Sequence, residues 1–424
     1  MVKNNFRDEK QEEVSRLWLD SDKKNTLILG TGFGKSKVSM LILEELFNSN
    51  ILSKDSKVLI LSDSEQLRDK NWKEDFDKWG FSWIWDLVIS ECYQTAYKWQ
   101  DTKWDLVIAD EIDFGMTEEY SKFFINNSID MILGLTGYVD PIKSELLNSI
   151  APPIVRYSTQ EAQKDGILND TQVVFVEYDL SQEKDDITVE YMDKGKKKSF
   201  TQSENNAYAY YENKCNILWG KITKLEEDPD VVFGLDPAKI SEAKTLRYNF
   251  NKTTQKRKDI LLKSNAGKKA AKYLIDKILE SDKNKVLTFS AYTDQADAIN
   301  EFTYHGKNKK GNKSLDELSS GNIRSLGVCD AINRGKNLVG VNNIIMESYT
   351  GSKTKFNQRH GRGMRLLPDQ KMYLYILLPY YYKTIQSPDP NIGSRIVRRS
   401  TQMVKWAENM LEGFKVVNPI RIRI

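Results

Sequence analysis

One segment constrains this chain more than any other: Leu27-Ile28-Leu29-Gly30-Thr31-Gly32-Phe33-Gly34-Lys35-Ser36, an apolar run that breaks into glycines and ends on a lysine and a hydroxyl. The apolar run predicts a buried strand, the glycines a tight turn, and the stretch through about Phe47 a helix. A loop so placed aims backbone N–H groups, together with the positive end of the helix dipole, at an anion. The small residues Gly30, Thr31, Gly32 and Gly34 would let the backbone close on the phosphates of ATP. Lys35 would reach the β- and γ-phosphates, and the Ser36 hydroxyl would hold Mg²⁺. A tight turn with an incidental lysine would share the spacing, but the strand before and the helix after favour the phosphate loop.

A second segment supplies the complementary charge. Trp104–Ile108 is an apolar strand that ends in Asp110-Glu111-Ile112-Asp113. Hydrolysis of a Mg²⁺-bound nucleotide needs adjacent carboxylates at such a strand end: Asp110 for the metal, through water, and Glu111 to polarise the attacking water. A strand followed by an acidic helix cap is the bland alternative, and the glycine loop upstream weighs against it.

Short apolar runs alternate with helical patterns twice. The strands expected in the first block are Thr26–Gly30, Val58–Ser62, Asp105–Asp110 and Met131–Thr136; those in the second are Lys285–Ser290, Ile323–Val328, Asn342–Met346 and Met372–Leu378. Runs without a polar face belong in parallel sheets covered by helices on both sides. Between the blocks, 181–264 is richer in Lys, Asp, Glu, Asn and Tyr; it predicts helices over Asn205–Leu225 and Lys239–Leu262 and a solvated turn over Asp193–Lys198. The expected organisation is a nucleotide-binding lobe over 1–180, a connector or insert over 181–264, and a second α/β lobe over 265–424.

These residues carry a resemblance to superfamily 2 helicases of the DExD/H-box type. The glycine loop, with Leu29 where the strict spacing has its first glycine, and Asp110-Glu111-Ile112-Asp113 are similar to motifs I and II of that family. Phe6–Gln11 resembles the upstream R-x-x-Q segment with one extra residue, which implies adenine recognition by Gln11 with Arg7. Val58–Ser62 and Tyr93-Gln94-Thr95 resemble motifs Ia and Ib, implying nucleic-acid contact near Ser62 and Thr95. Leu135-Thr136-Gly137-Tyr138 stands where motif III belongs, with Tyr138 replacing a threonine; it implies that Thr136 and Asp113 couple hydrolysis to movement.

In the second block, Val286–Ser290 resembles motif IV, with Ser290 on the nucleic acid, and Ala331–Leu338 resembles motif V, with Gly335 near the nucleotide and Asn337 in coupling. Gln358-Arg359-His360-Gly361-Arg362-Gly363-Met364-Arg365 fits Q-x-x-G-R-x-x-R at each fixed position. On a helix Gln358, Arg362 and Arg365 share a face, and two guanidinium groups aimed at a γ-phosphate neutralise its developing charge. The resemblance implies two tandem RecA-like P-loop lobes with a helical or irregular insert, ATP and Mg²⁺ as cofactors, and nucleic acid as partner. The compact motif set looks like phage UvsW-like and restriction-type helicases, which implies DNA rather than RNA and a setting in repair, recombination or replication. An RNA helicase, the motor subunit of a restriction complex, and a non-catalytic nucleic-acid clamp remain alternatives.

Composition narrows the rest. Lysine and arginine total 63 against 60 acidic residues, a net charge of +3, so a nucleic-acid surface must be local. Three scattered cysteines (Cys92, Cys215, Cys329) suit a reducing compartment, and two histidines exclude a histidine-rich metal site. No run approaches the roughly 18 apolar residues of a membrane span, and Met1-Val2-Lys3-Asn4-Asn5 does not open a signal peptide. A cytoplasmic protein is expected, in the host cytoplasm if phage-encoded, with room for unspecified protein partners. Trp72, Trp79, Trp83 and Trp85 read chiefly as core, Tyr380-Tyr381-Tyr382 as packing at a strand end, and Arg398, Arg399, Arg421 and Arg423 as tail charges.

Overall fold

Val58-Leu59-Ile60-Leu61-Ser62 has no polar side, and in the computed structural model each of its residues is buried in the sheet that the pattern demands. The structure describes residues 3–30, 32–65, 67–167, 171–184, 187–193, 196–329, 340–348, 356, 371–386, 393–411 and 416–423. Contacts divide the chain into two compact units: 1–171 with 331–342 and 352–372, and 172–330 with 343–351 and 373–424.

The first unit holds strands β1 (Lys24–Leu29), β2 (Val58–Ser62), β3 (Val88–Cys92), β4 (Lys103–Asp110), β5 (Ser128–Thr136) and β6 (Pro153–Tyr157). They form one sheet in the order β3-β2-β4-β5-β1-β6, every pair parallel. Its helices are α1 (Lys3–Leu19), α2 (Lys35–Asn48), α3 (Trp72–Trp79), α4 (Ser82–Trp85), α5 (Tyr93–Ala96), α6 (Ile112–Gly115), α7 (Lys122–Asn126), α8 (Ser144–Ile150) and α9 (Thr159–Lys164). Because the strands run the same way, their C-terminal ends share one edge, the edge at which parallel α/β sheets bind ligands. The glycine loop, Asp110, Thr136, Ser62 and α5 all follow strands at that edge.

The second unit has a mixed sheet built from β7 (Thr171–Asp179), β10 (Val286–Ser290), β11 (Thr303–Tyr304), β12 (Ser325–Cys329), β13 (Asn343–Met346), β14 (Met372–Gln386), β15 (Ser394–Ser400) and β16 (Val416–Arg421). The order is β11-β12-β10-β13-β14-β7-β16, with β15 antiparallel to β14. Between β7 and β10 lie an antiparallel hairpin of β8 (Ile187–Asp193) and β9 (Lys196–Gln202), then α10 (Glu204–Glu226), α11 (Pro229–Val232), α12 (Pro237–Leu262) and α13 (Asn265–Leu279). The two long helices start where the sequence places good caps: Ser203 accepts from the Asn206 N–H, and Asp236 accepts from Ala238 and Lys239 ahead of a first-turn proline.

Two sequence expectations need correction. Trp72 is buried, but Trp79 and Trp83 are 42% and 49% exposed, lying beside Lys37 and Phe47 on the surface rather than in the core. Arg398 and Arg421 are not loose tail charges. Arg398 reaches Asp179 at 2.6 Å and Glu177 at 2.7 Å and lies over the Tyr380 ring, while Arg421 meets Asp179 at 2.8 Å. Against the cost of burial, these two guanidinium groups hold the Asp179 carboxyl below its usual range.

Candidate active site

The glycine loop takes its shape from backbone strain that only glycine tolerates. Gly34 caps α2 with φ 104° and ψ 46°, left-handed geometry, and a Cβ there would collide with the Gln11 amide nitrogen. Two side chains of α1 fasten the loop from behind. Arg7 Nη2 donates to the Gly32 carbonyl at 2.6 Å, and Gln11 Nε2 donates to the Phe33 carbonyl at 2.7 Å. Gln11 is almost wholly buried, with Oε1 unbonded. The two residues singled out for adenine thus sit on loop backbone, a loop-fastening part that the sequence did not suggest.

Lys35, at the first turn of α2, bonds Glu111 Oε1 at 2.9 Å. The expected base and the expected phosphate-reaching lysine therefore face each other. Glu111 holds φ 48° and ψ 54°, a left-handed conformation that costs a non-glycine residue energy and turns its side chain from the end of β4 towards the loop. From β5, Thr136 Oγ1 lies 2.8 Å from Asp113 Oδ1 and from the Tyr138 carbonyl, and 3.4 Å from Glu111 Oε2. A hydroxyl has one proton, so these acceptors compete for it. Lys143 Nζ donates to the Asp113 carbonyl at 2.6 Å, and Tyr93 Oη donates to the Asp110 carbonyl at 3.1 Å. Neither Tyr93's hydroxyl nor Lys143 was legible as a site residue, because each acts on backbone from an element well separated in sequence.

The charge balance of this edge is negative. Burial, and then the Glu111 carboxylate, raise the Asp110 carboxyl above its usual range, with Lys35 opposing. The same two causes push Asp113 up to about 6, opposed by Thr136 and Lys143. Carboxyls crowded until they resist ionising together are a setting for a cation. Among the described residues, no group of three or more His, Cys, Asp or Glu side chains is placed to hold a metal ion by itself.

The remaining candidates divide by position. Thr95 is exposed on α5, whereas Ser62 is buried at the end of β2 with its hydroxyl unbonded. Ser290 is likewise buried at the end of β10 in the second unit, its hydroxyl beside the Glu347 carboxyl. Ser36 is half-buried beside Lys35. Thr31, Gly335, Asn337, Gln358, Arg362 and Arg365 lie outside the described residues. Among the described residues, no helix is long and apolar enough to cross a membrane.

Residues 268–366 match the family model of the helicase conserved C-terminal domain. A DNA-bound ATP-dependent Type ISP restriction-modification enzyme, LlaBIII, aligns with a TM-score of 0.56 and 14% identity over 98% of this chain and 31% of that one. A fragment described as the HsdR subunit of a type I restriction enzyme from Vibrio vulnificus aligns with a TM-score of 0.53 and 14% identity, over 99% of this chain and 68% of that one. The Hef helicase domain of Pyrococcus furiosus gives a TM-score of 0.49 and 14% identity over 87% of this chain and 94% of that one. This chain thus spans about a third of the ISP enzyme. No curated protein sequence matches it. Fold and loop–carboxylate site define a P-loop α/β protein built of RecA-like units. The matched domain takes the assignment further: residues 268–366 are similar to the helicase conserved C-terminal domain.

Proposed function

We propose that this enzyme moves along or remodels DNA by hydrolysing ATP at the C-terminal edge of the first sheet. The observation that carries the reading is the facing pair Lys35–Glu111 at 2.9 Å, with Thr136 bridging towards Asp113 beside it. In this reading Lys35 leaves Glu111 for the β- and γ-phosphates, and the freed carboxylate orients the attacking water and takes its proton. Ser36 and Asp110 would hold Mg²⁺, which neutralises phosphate charge and takes its other ligands from phosphate and water. Arg7 and Gln11 would hold the loop and serve the adenine, with Gly335 near the nucleotide. Gln358, Arg362 and Arg365 would meet the γ-phosphate, the arginines offsetting charge as it develops. Thr95 would contact the nucleic-acid backbone, with Ser62, Ser290 and Asn337 supporting that surface, and Asp113 with Thr136 would transmit hydrolysis to it. We assign 1–180 and 265–424 as the two motor lobes and 181–264 as an insert, in a cytoplasmic protein. Alignment of nearly the whole chain with two restriction enzymes, one of them DNA-bound, supports DNA over RNA.

The test is ATP turnover without nucleic acid, then with single-stranded DNA, forked duplex and RNA. DNA should stimulate turnover, and Glu111→Gln should lower it by about 10²-fold or more, the usual worth of a positioned base. Stimulation by RNA alone would move the assignment to an RNA helicase. Nucleic-acid binding without turnover would leave a clamp.

A further inference from the structure

Tyr93 joins α5 to the strand end that carries Asp110 and Glu111. Its ring is 1% exposed, packed 5.8 Å from the Phe114 ring and against Gly115, where a Cβ would lie 2.6 Å from Tyr93 Cε1. Its hydroxyl donates to the Asp110 carbonyl at 3.1 Å. That carbonyl belongs to the peptide unit whose N–H is that of Glu111. The carbonyl end of the peptide plane preceding Glu111 is therefore tied to Tyr93. Rotation of that plane changes the φ of Glu111, which already stands in the left-handed region. The tyrosine hydroxyl thus bears on the direction in which the base points.

The other end of Tyr93 is α5, a four-residue helix. Its inner face is Tyr93 and Ala96, both buried, and its outer face is Gln94 and Thr95, both exposed. Gln94 Nε2 donates to the Asp63 carbonyl at 3.0 Å, seating α5 at the end of β2. So short a helix has little stability of its own and follows whatever loads it.

We propose that Tyr93 is the positioning residue through which nucleic acid on the Gln94–Thr95 face of α5 turns the Asp110–Glu111 peptide and so raises ATP hydrolysis. The inference rests on the motor reading above. A backbone phosphate bonded by Thr95 shifts α5, the shift moves the Tyr93 hydroxyl, and the peptide plane follows. The side chain touches neither nucleotide nor nucleic acid.

The test compares the intact chain with Tyr93→Phe, which removes only the hydroxyl, and with Gly115→Ala, which displaces the ring. Each is measured for ATP turnover with and without forked DNA, for KM of ATP, for DNA affinity and for thermal midpoint. The ratio of stimulated to unstimulated kcat should fall about tenfold in both variants, the upper end of what one hydrogen bond carries, with KM and DNA affinity within about twofold. In combination with Thr95→Ala, Tyr93→Phe should add little further loss, because both interrupt one path. Full stimulation in Tyr93→Phe overturns the inference, as does a loss of DNA affinity that accounts for the fall. A wild-type chain whose ATP turnover no nucleic acid stimulates overturns the motor reading itself. Gly115→Ala tells only if its thermal midpoint stays near wild type, whereas Tyr93→Phe decides the matter without it.

Discussion

At the scale of single residues, burial decides which charges matter, and Glu347 shows how. It is 1% exposed, just past the end of β13, and its Oε1 accepts from Gln295 Nε2 at 3.1 Å. Burial pushes its carboxyl up to about 7, against the pull of Gln295 and neighbouring hydroxyls. A raised folded-state value means the native state holds the proton more tightly than the unfolded chain does. That stabilisation is whole below the unfolded value of 4.5 and is lost as pH rises towards about 7, after which the penalty stays constant. Glu347→Gln cannot ionise and should escape the penalty. Denaturant unfolding at pH 5 and pH 8 should show it gaining on wild type by something on the order of 2–3 kcal/mol between the two. An equal difference at both pH values would refute this. In the sequence Met346-Glu347-Ser348 is an ordinary triplet, because nothing local says that the glutamate faces inward.

Elements show what was legible and what was not. β2, β4 and β10 were readable because a strand buried on both faces has no polar side to confuse the pattern. The glycine loop was readable because left-handed backbone at Gly34 leaves few residue types to choose from. β14 was expected to stop near Leu378 but runs to Gln386, because Tyr380–Gln386 pair with β15, a partner that local pattern does not announce. Arg398 was missed for the same reason: Glu177 and Asp179 are far away in sequence. Removing that guanidinium by Arg398→Ala leaves Glu177 and Asp179 side by side on one face of β7, with Arg421 still on Asp179. At its partial exposure the loss should be about 1–3 kcal/mol, read by thermal unfolding, and no change would demote the network to ornament. The clasp on the glycine loop is a further element: the sequence pointed to adenine for Gln11, and the structure bonds it to the Phe33 carbonyl. If Gln11 works through the Phe33 carbonyl, Gln11→Ala should raise KM for ATP and GTP alike, by about tenfold. If it works through adenine, ATP alone should suffer.

The whole molecule sets how strongly nucleic acid is held. Net charge is only +3, so no global field gathers DNA, and attraction must come from a few basic groups placed near the polyanion. Each phosphate neutralised releases condensed counterions, so log affinity falls with log salt at about 0.9 per contact on duplex DNA. A chain this evenly charged should make a handful of contacts, giving a slope of about −3 to −6 rather than the roughly −10 of a strongly basic binder. The proposed hydrolytic groups should respond differently: Lys35 and Glu111 are largely covered side chains at 2.9 Å, a separation well inside the screening length, so unstimulated turnover should change little over the same salt range. Plotting DNA affinity and unstimulated turnover against salt, in one buffer series, separates the two surfaces. A slope near zero would mean that stacking or shape, not phosphate, holds the nucleic acid. A turnover that fell in step with affinity would mean that the catalytic edge depends on the same exposed charges, contrary to its burial.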